Sequence, residues 1–328
     1  MRKFSQCLLL LEMISRARSG FKPVDNVLNK MSIDVLWDLS LTEHKKIIQK
    51  MNEVSTREEK EKMWNDRCHI LRYILEPYIY NYLLFTYGAA LDKFWQTYTP
   101  PKKADNAFVI VERRPHPNFW YILRNIAWAG PQMSVYIFCS DENEDFIRTL
   151  LGNKVEHFNI IRFFKGNVPR EQAIQDYNNF YTDYRNYERI DAKYIMTVQM
   201  DIFIRRKLEM EMFMTDYYGN PWAWNQEDPG GGGATVRRVA KMIEICRRWR
   251  PDPSIDCPIP EDGWINEKIK ECGVWPDKTI RGTTFMETLL INNPYVVHQT
   301  WSFTDVVLQE GPEVFLGLWR NLLTFTVD

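Results

Sequence analysis

The sequence predicts an α/β fold: a mainly parallel sheet flanked by helices and preceded by a helical N-terminal region. Three observations carry this. Beyond about residue 105, short apolar runs rich in β-branched residues alternate with stretches of helical length. Before it the patterns are helical only, and "TPPKKADN", with its paired prolines and polar residues, reads as the linker between the two. The expected division is therefore a helical region over 1–105 and an α/β domain over 106–328.

In the N-terminal region "SLTEHKKIIQKMNEV" opens on a Ser40 or Thr42 cap. "STREEKEKMWNDRCHILRYILE" carries Ser55 followed by Glu58, a capping box, and Pro77 ends or kinks that helix. The stretch "ILRYILEPYIYNYLLFTYGAALDKFW" is the one candidate for a membrane span, but Arg72, Glu76, Pro77 and Asn81 interrupt it. A spanning helix needs about 20 nearly uninterrupted apolar residues, so no transmembrane span is expected. Tyr73, Ile74, Tyr78, Tyr82, Leu83 and Phe85 are too many large side chains to leave in water. They are expected to pack on the α/β domain or to form a homodimer contact.

After the linker, "AFVIVE" reads as a strand, "FWYILRNIAWA" as a helix and "SVYIFC" as a second strand. "DENEDFIRTLLG" is an acid-started helix stopped by Gly152, "HFNIIRFF" a third strand, and "PREQAIQDYNNFYTDYRN" a further helix. It leads to "YIMTVQMDIFIRR", an apolar strand that ends on one acid, Asp201.

Bulk properties narrow the function. The 328 residues are 45% hydrophobic and 26% charged, ordinary for a globular chain. A net charge of -1 gives no electrostatic footprint for nucleic acid, which is not an expected partner. Six cysteines without a CxxC pair read as free thiols in a reducing compartment. The N-terminus has the basic start of a signal peptide, but its apolar stretch is short and broken by Glu12, so a cytoplasmic location is expected.

In open α/β sheets ligands bind beyond the carboxyl ends of the strands, where Asp201 falls. A carboxylate there can bind a divalent cation and, through it, nucleotide phosphates; equally, it can cap the next segment or pair with Arg205 or Arg206. Gly230 to Gly233 precede a helix with apolar positions at Val236, Val239, Met242, Ile243 and Cys246, and read as a site floor in preference to a linker. Trp222 and Trp224, just before the glycines, are either packing residues or platforms for a sugar face. Glu261 and Asp262 follow Pro260 in the first turn of a helix. They either complement its dipole or place a general base in the cleft. His298, before Trp301, is a structural histidine or a metal ligand beside a carboxylate.

Taken in order, these motifs resemble a family of glycosyltransferase-like domains of uncharacterised function found in microbes and large DNA viruses. The resemblance runs from Ala107 to Phe303. It rests on "VIVERRPHPNFWYILRN", "YIMTVQMDIFIRR", "GNPW" with "GGGGATVRR", "PEDGWINEKI" and "VVHQTW". The same order is similar to that of inverting, fringe-like glycosyltransferases with the GT-A fold, a Rossmann-type sheet. The resemblance implies a UDP- or GDP-linked sugar donor, a glycan or glycoprotein acceptor, and a divalent cation, Mn2+ or Mg2+, on the diphosphate. It implies Asp262, or Glu261 if the turn is rotated, as the base. It further implies Asp201 and His298 as metal ligands, and Glu112, Arg113, Arg114, Asp201 and Gly231, Gly232 and Gly233 as donor contacts, with Trp222 and Trp224 on the acceptor. If the source is viral, the location implied is the host cytoplasm. The sequence departs from the full Asp-x-Asp motif, since Phe203 stands at the second acid. His298 and water can complete the metal site, or arginines can replace the metal's charge. The rival readings are an inactive nucleotide-sugar or glycan-binding module on the same fold, and a structural scaffold.

Overall fold

The computed structural model describes residues 87–166, 168–222, 225–287 and 294–298, with scattered positions between 50 and 62. Most of the predicted N-terminal helices, residues 73–85 among them, lie outside the described residues, as does Trp224. The homodimer contact expected of those helices lies outside them too.

Each apolar run after the linker becomes a strand, because its β-branched and aromatic residues suit a sheet covered on both sides. The strands are β1 (Asn106–Val111), β2 (Ser134–Ser140), β3 (Asn159–Phe164) and β4 (Tyr194–Val198). They are joined by α1 (Phe119–Ala129), by α2 (Glu144–Leu151) with a 3-10 turn (Gly152–His157), and by α3 (Arg170–Thr182) with α4 (Tyr184–Tyr187). Then come β5 (Ile202–Ile204), β6 (Tyr217–Asn220), β7 (Gly231–Arg238) and α5 (Val239–Trp249). The described chain closes with α6 (Glu261–Cys272), α7 (Lys278–Thr284), β8 (Phe285–Met286) and β9 (Val296–His298).

The main sheet has six strands in the order β3-β2-β1-β4-β7-β6. β3, β2, β1 and β4 are mutually parallel; β7 runs antiparallel to β4 and to β6. This is an α/β fold with a mostly parallel sheet flanked by helices, compatible with a Rossmann-like architecture. Alternation along β1 sends Phe108 and Ile110 to one core and Ala107, Val109 and Val111 to the other, so both faces are buried. Helix α1 packs in the first core, with Ile122 and Ile126; α3, α5 and α6 pack in the second, with Phe180, Met242 and Ile265. The helical segment 87–97 contributes Tyr87, Leu91 and Trp95, a one-face stripe, to the first core, so the end of the predicted N-terminal region belongs to the α/β packing.

One expectation is corrected here. The glycine run does not lead directly into a helix: Gly231 to Gly233 open β7, and α5 starts only at Val239. Backbone pairing of Gly231 with Asn220 of β6, and of Gly233 with Gln199 just past β4, overrides the weak strand propensity of glycine. Because β7 is antiparallel to β4, its glycine end lies at the carboxyl end of the parallel strands, and Gln199 N–H donates to the Gly233 carbonyl at 3.1 Å.

A second sheet, β5-β9-β8, has three short strands. Its register, Ile202 opposite His298 and Met286 opposite Val297, draws together three strand ends: Asp201 before β5, His298 ending β9 and Glu287 after β8. Asn125 of α1 fixes this arrangement by donating to the Ile204 carbonyl (2.9 Å) and accepting from the Ile204 N–H (2.8 Å).

Candidate functional site

A cavity of about 250 Å³ lies at the carboxyl end of β4, lined by Tyr177, Asn178, Gln199, Gly232, Gly233, Glu261, Asp262, Glu287 and His298. Glu261, Asp262, Gly232, Gly233 and His298 are thus brought together, and Asp201 adjoins them through His298.

Each glycine at the start of β7 makes room for neighbouring side chains. A Cβ on Gly231 would stand 2.6 Å from Asp262 Oδ2 and 2.8 Å from the Trp222 ring. On Gly232, whose φ is +91°, it would collide with the Glu287 carboxylate, and on Gly233 with the His298 ring. The backbone also binds what it accommodates. Gly232 N–H donates to Asp262 Oδ2 at 3.0 Å, while Gly263 N–H donates to Oδ1 at 2.8 Å. Asn266, one turn along α6, donates to the Gly230 carbonyl and ties the helix to the glycine strand.

The two adjacent acids differ. Glu261 is 4% exposed and accepts from Arg237 Nη2 through both oxygens at 3.0 Å. Arg237, fully buried, donates also to Tyr187 Oη (3.0 Å) and Thr235 Oγ1 (2.7 Å). Burial pushes the Glu261 carboxyl up to about 6, with Arg237 opposing and Asp262 adding to the rise. Burial, the largest single influence, works against the Arg237 charge as well, yet Glu261 together with Tyr187, Tyr217 and Tyr181 outweighs it and holds the guanidinium well above its ordinary value. At neutral pH the pair is ionised and closed on itself. Asp262 is half-buried, held among the described residues by backbone N–H groups alone, and faces the cavity.

His298 is 3% exposed, with Nε2 3.3 Å from Asp201 Oδ1 and Nδ1 3.0 Å from Glu287 Oε2. Burial alone would lower its pKa; Glu287 and Asp201 outweigh burial and hold it up at about 10. Nδ1 also lies 3.1 Å from the Gly233 N–H, a contact that asks it to accept where Glu287 asks it to donate. The carboxylate prevails, since a charge-assisted bond is about twice as strong as a neutral one. Gln199 Oε1 is 3.2 Å from Nε2, and its amide donates to Tyr177 Oη at 2.8 Å.

The donor set fits a divalent ion in part. Two atoms bound at about 2.1 Å and at right angles stand about 3 Å apart, close to the 3.3 Å between Asp201 Oδ1 and His298 Nε2. Glu287 on Nδ1 is the carboxylate that orients a ligating imidazole. Among the described residues no three His, Cys, Asp or Glu side chains form a metal site by themselves, so phosphate or water oxygens would supply the remaining positions.

Other expected residues lie elsewhere. Glu112 holds Arg114 bidentately (2.9 and 2.7 Å); burial would raise its pKa, but Arg114 keeps it low. Arg113 turns to Asp176 at 2.7 Å, away from the Asp262 cavity. Gln199, Tyr177, Asn178 and Glu287 are site residues the sequence reading missed. Glu287, one acid closing the apolar run "TTFME", carries the same signal that marked Asp201.

A family model described as a protein of unknown function (DUF5672) matches residues 158–282. The match spans β3 to α7, with Asp201, the glycines and Asp262 inside it and Glu287 and His298 beyond it. Among curated proteins, none matches the chain.

Proposed function

We propose that the protein is a glycosyltransferase that moves a sugar from a nucleotide-sugar donor to an acceptor hydroxyl with inversion. The observation that carries this reading is the contrast between Asp262, held on backbone N–H groups in the cavity wall, and Glu261, closed onto Arg237. A carboxylate so placed can take the acceptor's proton as the hydroxyl attacks the anomeric carbon and the nucleoside diphosphate leaves. Asp201 and His298, the imidazole giving up its Nε2 proton, would hold Mn2+ or Mg2+, which when bound would neutralise charge on the leaving diphosphate. Glu287 keeps the His298 ring turned to Asp201, and Gln199 braces it from Tyr177. The strand order, the antiparallel β7 and the small second sheet are compatible with a GT-A arrangement. A UDP- or GDP-linked donor, a glycan acceptor and a cytoplasmic setting belong to the same proposal.

Transfer assays over a panel of nucleotide sugars, with and without manganese, test it. Asp262→Asn should keep donor affinity and lower transfer by about 10²-fold or more, the scale of acid–base contributions. Wild-type transfer by that variant would overturn the assignment. Donor binding without turnover in the wild type would make the protein a binding module.

A further inference from the structure

The second cleft of the molecule, about 330 Å³, lies against the edge strand β3. Helix α3 is the wall between it and the Asp262 cavity. Asp176, Asn179, Phe180 and Asp183, at i, i+3, i+4 and i+7, turn to this cleft, whereas Tyr177 and Asn178 turn to the other. No residue lines both.

Its floor is aromatic. Phe163 meets Phe164 at 4.8 Å and Phe180 at 5.1 Å, both edge to face, and Phe163 is left 38% exposed. Above the floor, the Arg113 guanidinium lies 4.8 Å over the Phe164 ring. Arg113 Nη2 reaches Asp176 at 2.7 Å, but Nη1 is buried and has no hydrogen-bond partner among the described residues. A buried guanidinium N–H without an acceptor is costly, so an oxygen belongs there. Lys165, also in the lining, makes no salt bridge within the described residues. The carboxylates of the lining are already engaged: Asp176 by Arg113 and Gln172, Asp183 by Arg185. The cleft therefore offers an apolar ring platform beside two cations with open valence.

We infer that this cleft binds a small organic anion, a phosphate or carboxylate on a flat aromatic body, with the ring on Phe163 and the anion on Arg113 Nη1 and Lys165. Its volume is at the small end of ligand pockets, about 300 to 1,000 Å³. The inference rests on the cleft alone and stands whether or not the protein transfers sugar.

Isothermal titration of the full chain with phenyl phosphate tests it, with benzoate, inorganic phosphate and benzyl alcohol as comparators. Phenyl phosphate or benzoate should bind at least ~10-fold more tightly than the two compounds that lack either ring or charge, the tighter of the pair identifying the anionic group. Lys165→Gln and Arg113→Gln should each weaken that binding about tenfold. Phe163→Ala should remove the advantage over inorganic phosphate. Should Arg113→Gln not fold, the exposed Lys165 and Phe163 variants decide. Binding unchanged in these variants, or inorganic phosphate equal to phenyl phosphate, would overturn the proposal.

Discussion

Two buried ionic clusters flank the glycine strand, and they are built on opposite plans. On one side Arg237 and Glu261 set one cation against one anion, and Tyr187 and Thr235 take up the remaining guanidinium donors. On the other, Asp201 and Glu287 place two carboxylates about one imidazole, with Asp262 as a third acid on the same cavity. The first cluster is balanced, although Glu261 touches the cavity; the second has negative charge in surplus on the same void. Balance makes framework, because a closed pair has nothing left to bind. Surplus makes a site, because a cation or a proton can still be taken up.

The sharpest break of this comparison is to unbalance the balanced side. Arg237→Met leaves Glu261 buried without its partner, which should cost about 3–5 kcal/mol in urea unfolding. Adding Glu261→Leu should recover most of that loss, because the double variant leaves no orphaned charge. A single substitution costing less than about 1 kcal/mol would show that the pair does not hold α6 to the sheet.

On the surplus side the expected change is in binding. Asp201→Ala removes a mostly buried carboxylate, but Glu287 still pairs His298 at 3.0 Å, so the fold should stand. What it should lose is the manganese-dependent stabilisation by a nucleoside diphosphate, about 2.7 kcal/mol at a hundredfold excess over Kd. Equal thermal shifts in wild type and variant would remove Asp201 from the proposed metal site.

Much of this arrangement was readable from local pattern, and its unread parts share one cause. β1 to β4 follow from apolar runs, and α6 from Pro260 with two acids in the first turn. Asp201 stood out as a single acid in an apolar stretch. The sequence presents the glycine run as a site floor before a helix, because nothing in four glycines marks a strand; pairing of Gly231 with Asn220 of β6 and of Gly233 with Gln199 makes it one. Glu287 acquires its place only when β8, two residues long, pairs with β9. Arg237 and Arg238 are neighbours in sequence, yet strand alternation buries the first and exposes the second. Separating the two acids of α6 required knowing which one meets that buried arginine.

The smallest expected effect concerns the pH dependence of the balanced pair, where burial and ion pairing oppose each other. Burial, the larger influence, lifts Glu261 from its ordinary 4.5 to about 6, against the pull of Arg237. An acid whose pKa is higher when folded binds its proton more tightly in the folded chain. Its contribution to stability is therefore full below pH 4.5 and lost as pH rises to about 6, after which it is flat. Other groups titrate in this window, so the observable is the stability of wild type minus that of Glu261→Gln, followed from pH 4 to 7 by urea unfolding. That difference should fall with rising pH. A difference that grows instead would mean that Arg237 outweighs burial and draws the carboxyl below its ordinary value, giving the pair a net stabilising role at neutral pH. A flat difference would place Glu261 in equal balance between the two, and the contrast with the surplus cluster across the glycines would then rest on geometry alone.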